Sequence, residues 1–311
     1  LDKIKTISIF DRKSKVHIKD LGKPVSPTKS LDEFFDALPD IFAAKEFKEF
    51  ISICAKALQT KKVFTIALGA HVIKNGCTPY LDQLIDKGFV SAVVLNGACL
   101  VHDFELAFAG ATSEIVEEAL VEGEFGITKE TSDYLNSMVK DGVKKGLGLG
   151  ESVKQGFIKN EAALKYPDAS LILKCARKKV EVLCFSAVGT DVIHIHPTSD
   201  GAAFGLGSQR DLKKFAEILT KAERGVHINF GSAVLLPEVF LKAISWARNV
   251  SGHPKVIYTA AFDFMKLYRP HENVVYRPTK SGGKGFYFVG PHEIMIPLFV
   301  GGLLAKTRGK Q

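Results

Sequence analysis

Residues 191–212 read DVIHIHPTSDGAAFGLGSQRDL. An apolar run at 180–188 precedes them. A helical pattern follows, capped by Ser208, with Leu212, Phe215, Ile218, Leu219 and Ala222 on one face and Gly225 at its end. The stretch is therefore read as the link in a strand–loop–helix unit. It holds two histidines at an i, i+2 spacing, an Asp-Gly pair and glycines among small residues. His and Asp can carry protons or ligands, and Gly lets backbone approach a ligand closely. Taken singly, these residues read as satisfied histidines and a turn at Asp200-Gly201. Taken together they read as a site.

The same unit recurs along the chain. Short apolar runs at 63–68, 90–95, 226–230 and 255–260 alternate with helical patterns at 43–58, 112–123, 131–145 and 236–249. Further helices are expected after Thr78, with Pro79 in its first turn, after Asp168 and from His292. Residues 274–276 and 286–289 flank the Gly-rich segment 281–285. The alternation implies an α/β, Rossmann-like fold, a mostly parallel sheet with helices on both faces. Residues 1–29 form a basic N-terminal arm with a short strand at 4–10, and 30–311 a single α/β domain.

In such sheets ligands bind beyond the carboxyl ends of the strands. Those ends carry His71, Asn96-Gly97, the opening stretch, Asn229 with Gly231-Ser232, and Thr259 with Asp263. Five gatherings of small and hydrogen-bonding residues point to one shared cleft. Three chemistries compete for it. Gly231-Ser232-Ala233 between strand and helix could set backbone N–H groups against a phosphate. His194 and His196, projecting to one side of an extended segment with Asp191, Asp200 or His102, could hold a metal, although no HExxH or CxxC supports it and no metal ligand is assigned. Lys280 or Lys284, in RPTKSGGKG, could act as a nucleophile, and Arg210, Arg269 and Arg277 could hold an anion.

The net charge of +8 sits largely at the ends: residues 1–29 carry eight Lys/Arg against three Asp. Without interleaved aromatic platforms, basic ends read as solvated surface and argue against nucleic acid. Five scattered cysteines without a CxxC argue against a disulfide framework and suggest a reducing compartment. With no signal peptide, the expectation is a cytoplasmic protein. The apolar run 294–305, broken by Pro297 and Gly301-Gly302, is too short to span a bilayer.

Residues 70–298 resemble the deoxyhypusine synthase family, with its motifs in the same order. AHVIKNG (70–76) resembles the family's SNLISSG, so His71 falls in the first NAD segment. NGACLVHD (96–103) resembles TTAGGVEED, which would make Asn96, Gly97 and Ala98 NAD contacts; Asp103 matches, while Val101 and His102 replace the glutamates. Ser199-Asp200-Gly201 matches TDG and makes Asp200 a ribose or nicotinamide contact. GSAVLLPE (231–238) resembles GGGVVKHH, with Gly231 in the cofactor segment and Glu238 in place of the second His. YTAAFD (258–263) resembles NTAQEFDGSDSG, giving Thr259, Ala260 and Asp263 as cofactor contacts, but GSDSG is missing. The WGK segment with the catalytic lysine is also missing; Lys280 is the nearest stand-in and Lys284 the next. The closing ADASLVFPLL resembles residues 291–298.

The resemblance implies a deoxyhypusine synthase-like NAD-binding fold, a homotetramer, and a transferase that oxidises its substrate and forms an imine on an enzyme lysine. The lost acids argue against spermidine, because a polycation needs carboxylates to offset its desolvation. The expectation is thus an NAD-dependent enzyme acting on a different small-molecule substrate, anionic or polar neutral. It would either oxidise that substrate or transfer an alkyl or aminoalkyl group, with Lys280, His102, His196 and Glu238 as catalytic groups. The alternatives are a metal-assisted hydrolase or lyase built on His194 and His196, and a non-catalytic binding or assembly protein.

Overall fold

Six strands form one sheet in which every pair is parallel: β1 (Phe64–Leu68), β2 (Ala92–Asn96), β3 (Glu181–Phe185), β4 (Gly225–Phe230), β5 (Ile257–Asp263) and β6 (Gly283–Val289). The structure is a computed structural model and describes residues 4–26, 28 and 30–308. The strand order is β3-β2-β1-β4-β5-β6. The chain builds outward from β1 in one direction, then returns and builds outward from β4 in the other. The switch point between β1 and β4 is where an open α/β sheet leaves its crevice.

The sequences of β1 to β5 are apolar on both faces because both faces are covered, while the edge strand β6 is partly exposed. The period of two divides their side chains between two layers. Ile66, Leu68, Val93, Leu95, Ile228, Phe230 and Phe262 join one core with Phe50 and Phe299. Ala67, Val94, Leu183 and Ile257 join the other with Phe215, Phe240 and Ile244. In the first layer the ring of Phe50 lies 5.1 Å from that of Phe286 and 5.6 Å from that of Phe299. Burying each such ring contributes about 2–3 kcal/mol. The second layer holds buried His227, stacked 3.8 Å from the Phe240 ring and bonded to Thr65 Oγ1 at 2.9 Å.

Several elements depart from the sequence expectation. The helix expected from Ser208 is Gly201–Thr220. Asp200 is its N-cap, with Oδ1 accepting from the Ala202 and Ala203 amides at 3.0 and 3.1 Å. Gly205 and Gly207 therefore lie inside a helix. At Gly207 the close packing is against Leu149, whose N a Cβ would meet at 3.2 Å. The segment expected to extend through His194 is a 3-10 turn, Val192–His194. Residues 274–276 belong to the π-helical segment His271–Tyr276, where Thr259 Oγ1 donates to the Val274 carbonyl at 2.7 Å. Ser170, not Asp168, caps the Leu171–Arg177 helix, since Asp168 pairs with Arg177. The helix expected at 112–123 is confined to Val116–Val121, because Thr112 is drawn into side-chain bonds with Glu105 and His102. Residues 4–10 form no strand. Among the described residues no helix is long and apolar enough to cross a membrane. All five cysteines are buried and free.

Candidate active site at the carboxyl edge of the sheet

At the switch point two glycines close the floor of the crevice. A Cβ on Gly69, just after β1, would lie 2.2 Å from the carbonyl oxygen of Gly231, just after β4. Gly231 itself has φ +66°, and a Cβ there would stand 2.4 Å from His292 Nε2. A side chain at either position would force the loops apart. Beside them Asp263 ends β5, and its Oδ1 accepts from the Phe264 amide at 2.8 Å. Burial pushes its carboxyl up, partly offset by that amide and by nearby His292 and His71. Burial likewise lowers His292. Asp263 Oδ2 and His292 Nδ1 are buried and have no hydrogen-bond partner among the described residues. A buried polar atom left so costs about 1–3 kcal/mol unless a ligand or water meets it.

Beyond β2 the chain enters the Gly97–Ala109 helix, with Asn96 as N-cap accepting from the Cys99 amide at 3.0 Å. The start of this helix is covered by Asp191. Ser186 Oγ donates to Asp191 Oδ2 at 2.8 Å, and His194 Nε2 lies 2.9 Å from the same hydroxyl. His194 Nδ1 accepts from the Gly189 and Asp191 amides, at 3.2 and 3.1 Å. The neutral ring therefore carries its proton on Nε2, and the run is Nε2–H to Ser186 to Asp191. Burial lowers His194 and raises Asp191. Ser186 has no base to take its proton, so the trio is not a hydrolytic triad. Asp191 faces the helix dipole as a cap, aided by the Ala98 amide.

Next to this cap lies a cavity of about 530 Å³, lined among others by Lys74, Ala98, His102, Glu105, Glu114 and Asp191. Thr112 Oγ1 donates to Glu105 Oε2 at 2.5 Å and Thr131 Oγ1 to Oε1 at 3.0 Å. The Thr112 proton being committed, His102 Nδ1 at 2.7 Å must be the donor to its oxygen. His102 Nε2 is left as the free nitrogen. Burial lowers the ring's pKa, reinforced by Lys74 and His71.

The structure gathers some of the expected residues and separates others. His71, Gly231 and Asp263 meet at the switch-point notch, and Ala98 and His102 line the adjoining cavity. Asn96 and Gly97 open the Gly97–Ala109 helix, Gly97 under Asp191, and neither lines the cavity. Asp200 caps its helix through one oxygen. His196 bonds Thr198 Oγ1 at 2.8 Å and does not line the cavity. His194 and His196 thus have different partners, and no group of three metal-ligating side chains occurs among the described residues. Glu238 pairs with Lys242 and Arg269, which lower it to about 2, and accepts from Asn273 at 2.8 Å; a carboxylate so held is a poor base. Thr259 and Ala260 are buried in mid-strand, Thr259 roughly 13 Å upstream of Asp263 at 3.3 Å per residue. Lys280 precedes β6, at the opposite, amino edge of the sheet, with Nζ 4.0 Å from the Tyr276 ring centre; Lys284 pairs with Glu49 at 2.7 Å. Arg210 is spent on the Val143 and Leu147 carbonyls.

Sequence reading missed Lys74, Thr112 and His292. Lys74 follows His71 by three residues, one helical turn, which was a usable signal. Nothing in the sequence linked Thr112 to His102.

No family model matches the sequence, and no curated protein sequence matches it. Its fold is similar to that of several solved structures. A conserved LOR/SDH protein, provisionally so named, from Methanococcus maripaludis S2 is 15% identical, with 90% of this chain and 72% of that one covered and a TM-score of 0.53. AgrE in its ternary complex with ornithine and NAD+ is 14% identical over 85% of this chain and 32% of that one, with a TM-score of 0.53. A protein from Entamoeba histolytica provisionally named deoxyhypusine synthase is 11% identical over 92% and 96%, with a TM-score of 0.52. The chain spans about a third of the AgrE and ArgZ chains. The likeness shows the fold alone: an α/β, Rossmann-like architecture, here with a six-stranded parallel sheet.

Proposed function

We propose that this chain is an NAD-dependent enzyme that oxidises a small polar substrate at the carboxyl edge of its sheet. The observation that carries the reading is the notch at the β1/β4 switch point: two glycines that admit no side chain, beside the unpartnered buried atoms Asp263 Oδ2 and His292 Nδ1. These residues fit a dinucleotide. The turn at Gly231 would hold phosphate at the start of the Leu235–Ser251 helix. Asp263 and the second oxygen of Asp200 would accept from ribose or carboxamide groups. The start of the Gly97–Ala109 helix suits a hydroxyl rather than a phosphate, since Asp191 already places a carboxylate there. When bound, the nicotinamide would supply a hydride acceptor.

The chain's own part is to exclude water and move a proton, and His102, neutral with Nε2 free, is the group for it. Oxidation is favoured over transfer because Lys280 lies at the far edge of the sheet and leaves the imine step without its expected lysine. The similar fold of AgrE, seen with NAD+, supports the cofactor.

Thermal unfolding with added NAD tests the reading. A ligand at a hundred times its Kd stabilises by about 2.7 kcal/mol, a rise of several degrees. An unchanged Tm at millimolar NAD, with no heat of binding in calorimetry, would reject it.

A further inference from the structure

The charges around the 530 Å³ cavity can be taken one at a time. Lys74 has no carboxylate within ion-pair distance among the described residues. Glu105 has both oxygens occupied, by Thr112 and Thr131. Asp191 is held by Ser186 and the Ala98 amide. Glu114 Oε1 accepts from the Gly126 amide at 2.9 Å, while its other oxygen has no partner among the described residues. What remains open is one cation, one carboxylate oxygen and His102 Nε2, an acceptor. Val101, Val116, Phe125 and Val192 give the wall an apolar part, and Ser113, Thr128 and Thr190 add hydroxyls to it.

We infer that this cavity binds a small α-amino acid as its zwitterion, the carboxylate on Lys74, the ammonium on His102 Nε2 and Glu114, and an apolar or extended side chain along the valines and Phe125. The assignment rests on the oxidative reading above and names its substrate class. A simple amine would leave Lys74 uncompensated beside a second cation. A simple carboxylate would meet Glu105, Glu114 and Asp191 with no ammonium to offset them. The zwitterion satisfies both ends.

The same geometry prepares the substrate. An ammonium N–H bond breaks and its proton passes to His102 Nε2, leaving the nitrogen lone pair on a neutral amine. The imidazolium formed keeps its Nδ1–H on Thr112, whose own proton stays on Glu105, so a carboxylate lies two hydrogen bonds from the new charge. His102 is the catalytic residue here; Thr112 and Glu105 are positioning residues.

Calorimetric titration of L-norleucine, pentylamine and hexanoate into the protein with saturating NAD tests this. The three share a carbon chain and differ only in their charged ends. Norleucine is expected to bind at least tenfold more tightly than either partial analogue. Lys74→Met should weaken norleucine and hexanoate tenfold or more and strengthen pentylamine, which no longer meets a second cation; Glu114→Gln should weaken norleucine and pentylamine. Both positions are exposed, so the fold should survive, and an unchanged Tm without ligand confirms it. Thr112→Val should convert His102 from one tautomer to a mixture in its ¹⁵N spectrum. Pentylamine binding as tightly as norleucine, norleucine indifferent to Lys74→Met, or no norleucine binding would each overturn the assignment. If NAD alone binds, only the amino-acid assignment falls. If norleucine binds and NAD does not, the dinucleotide reading falls instead.

Discussion

Asp191 Oδ2 stands 2.0 Å from where a Cβ on Gly97 would be. A carboxylate that follows β3 is thereby seated on the first turn of the helix that follows β2, and the glycine is what admits it. Gly97→Ala should push Asp191 off that turn and cost about 1–3 kcal/mol, as overpacked sites do. Asp191→Ala should cost a similar amount by removing the cap. Urea unfolding curves measure both, and an unchanged midpoint for Gly97→Ala would show that the contact yields freely.

Gly231→Ala addresses the notch. The substitution places a Cβ in a left-handed conformation, worth about 1–2 kcal/mol, and against His292 Nε2. NAD affinity should fall at least tenfold. Gly201→Ala is the control, since the nearest atom to its Cβ is 3.9 Å away, and it should bind NAD as the parent does. Equal losses from both would detach the effect from the notch.

His227 gives the stability a pH dependence. Burial lowers its pKa from 6.5 to about 3. Between those values the unfolded chain binds a proton that the folded chain does not, so the contribution is complete above pH 6.5 and is lost as pH falls toward 3. The slope should approach 1.4 kcal/mol per pH unit. His227→Gln should flatten that part of the stability–pH curve; a variant curve parallel to the parent's would place the acid sensitivity elsewhere.

Lys280→Ala should leave NAD binding unchanged. Its ammonium rests over the Tyr276 ring at the amino edge, a contact worth about 0.5–1 kcal/mol at an exposed site. A tenfold loss of NAD affinity in this variant would mean that the lysine reaches a cleft on another copy of the chain.

Most of the architecture was legible because it depends on local patterns. Runs such as FTIAL and AVVLN are buried on both faces, and only a parallel sheet covered by helices needs that. The errors fell where side chains from elsewhere override local preference. Ser208 looked like a cap, yet Asp200 had the better geometry eight residues earlier. Residues 274–276, read only as a flank of the Gly-rich segment, are held in a π-helical segment by the Thr259 hydroxyl and the close approach of Gly285 to the Val275 carbonyl.

The candidate site was legible in part for the same reason. Gly231 and Asp263 sit at strand ends, which the pattern located. Lys280 was carried over from a resemblance in a region where the motif itself is absent, and the sheet places it at the wrong end.

The 191–212 stretch marks the division between the two kinds of information. The sequence alone determined that a strand–loop–helix unit runs through it and that the surrounding units make a parallel sheet, because backbone preference and the hydrophobic period act over a few residues. The start of the helix at Gly201 was not among what it determined. Tertiary structure alone decided what its histidines do. His194 is a buried donor in a relay to Asp191, and its tautomer is set by two backbone amides that only the folded loop brings to Nδ1. Likewise His102 obtains a free Nε2 because Thr112 and Glu105 converge on its other nitrogen. A proton's position depends on partners assembled by folding, and the order of residues does not contain it.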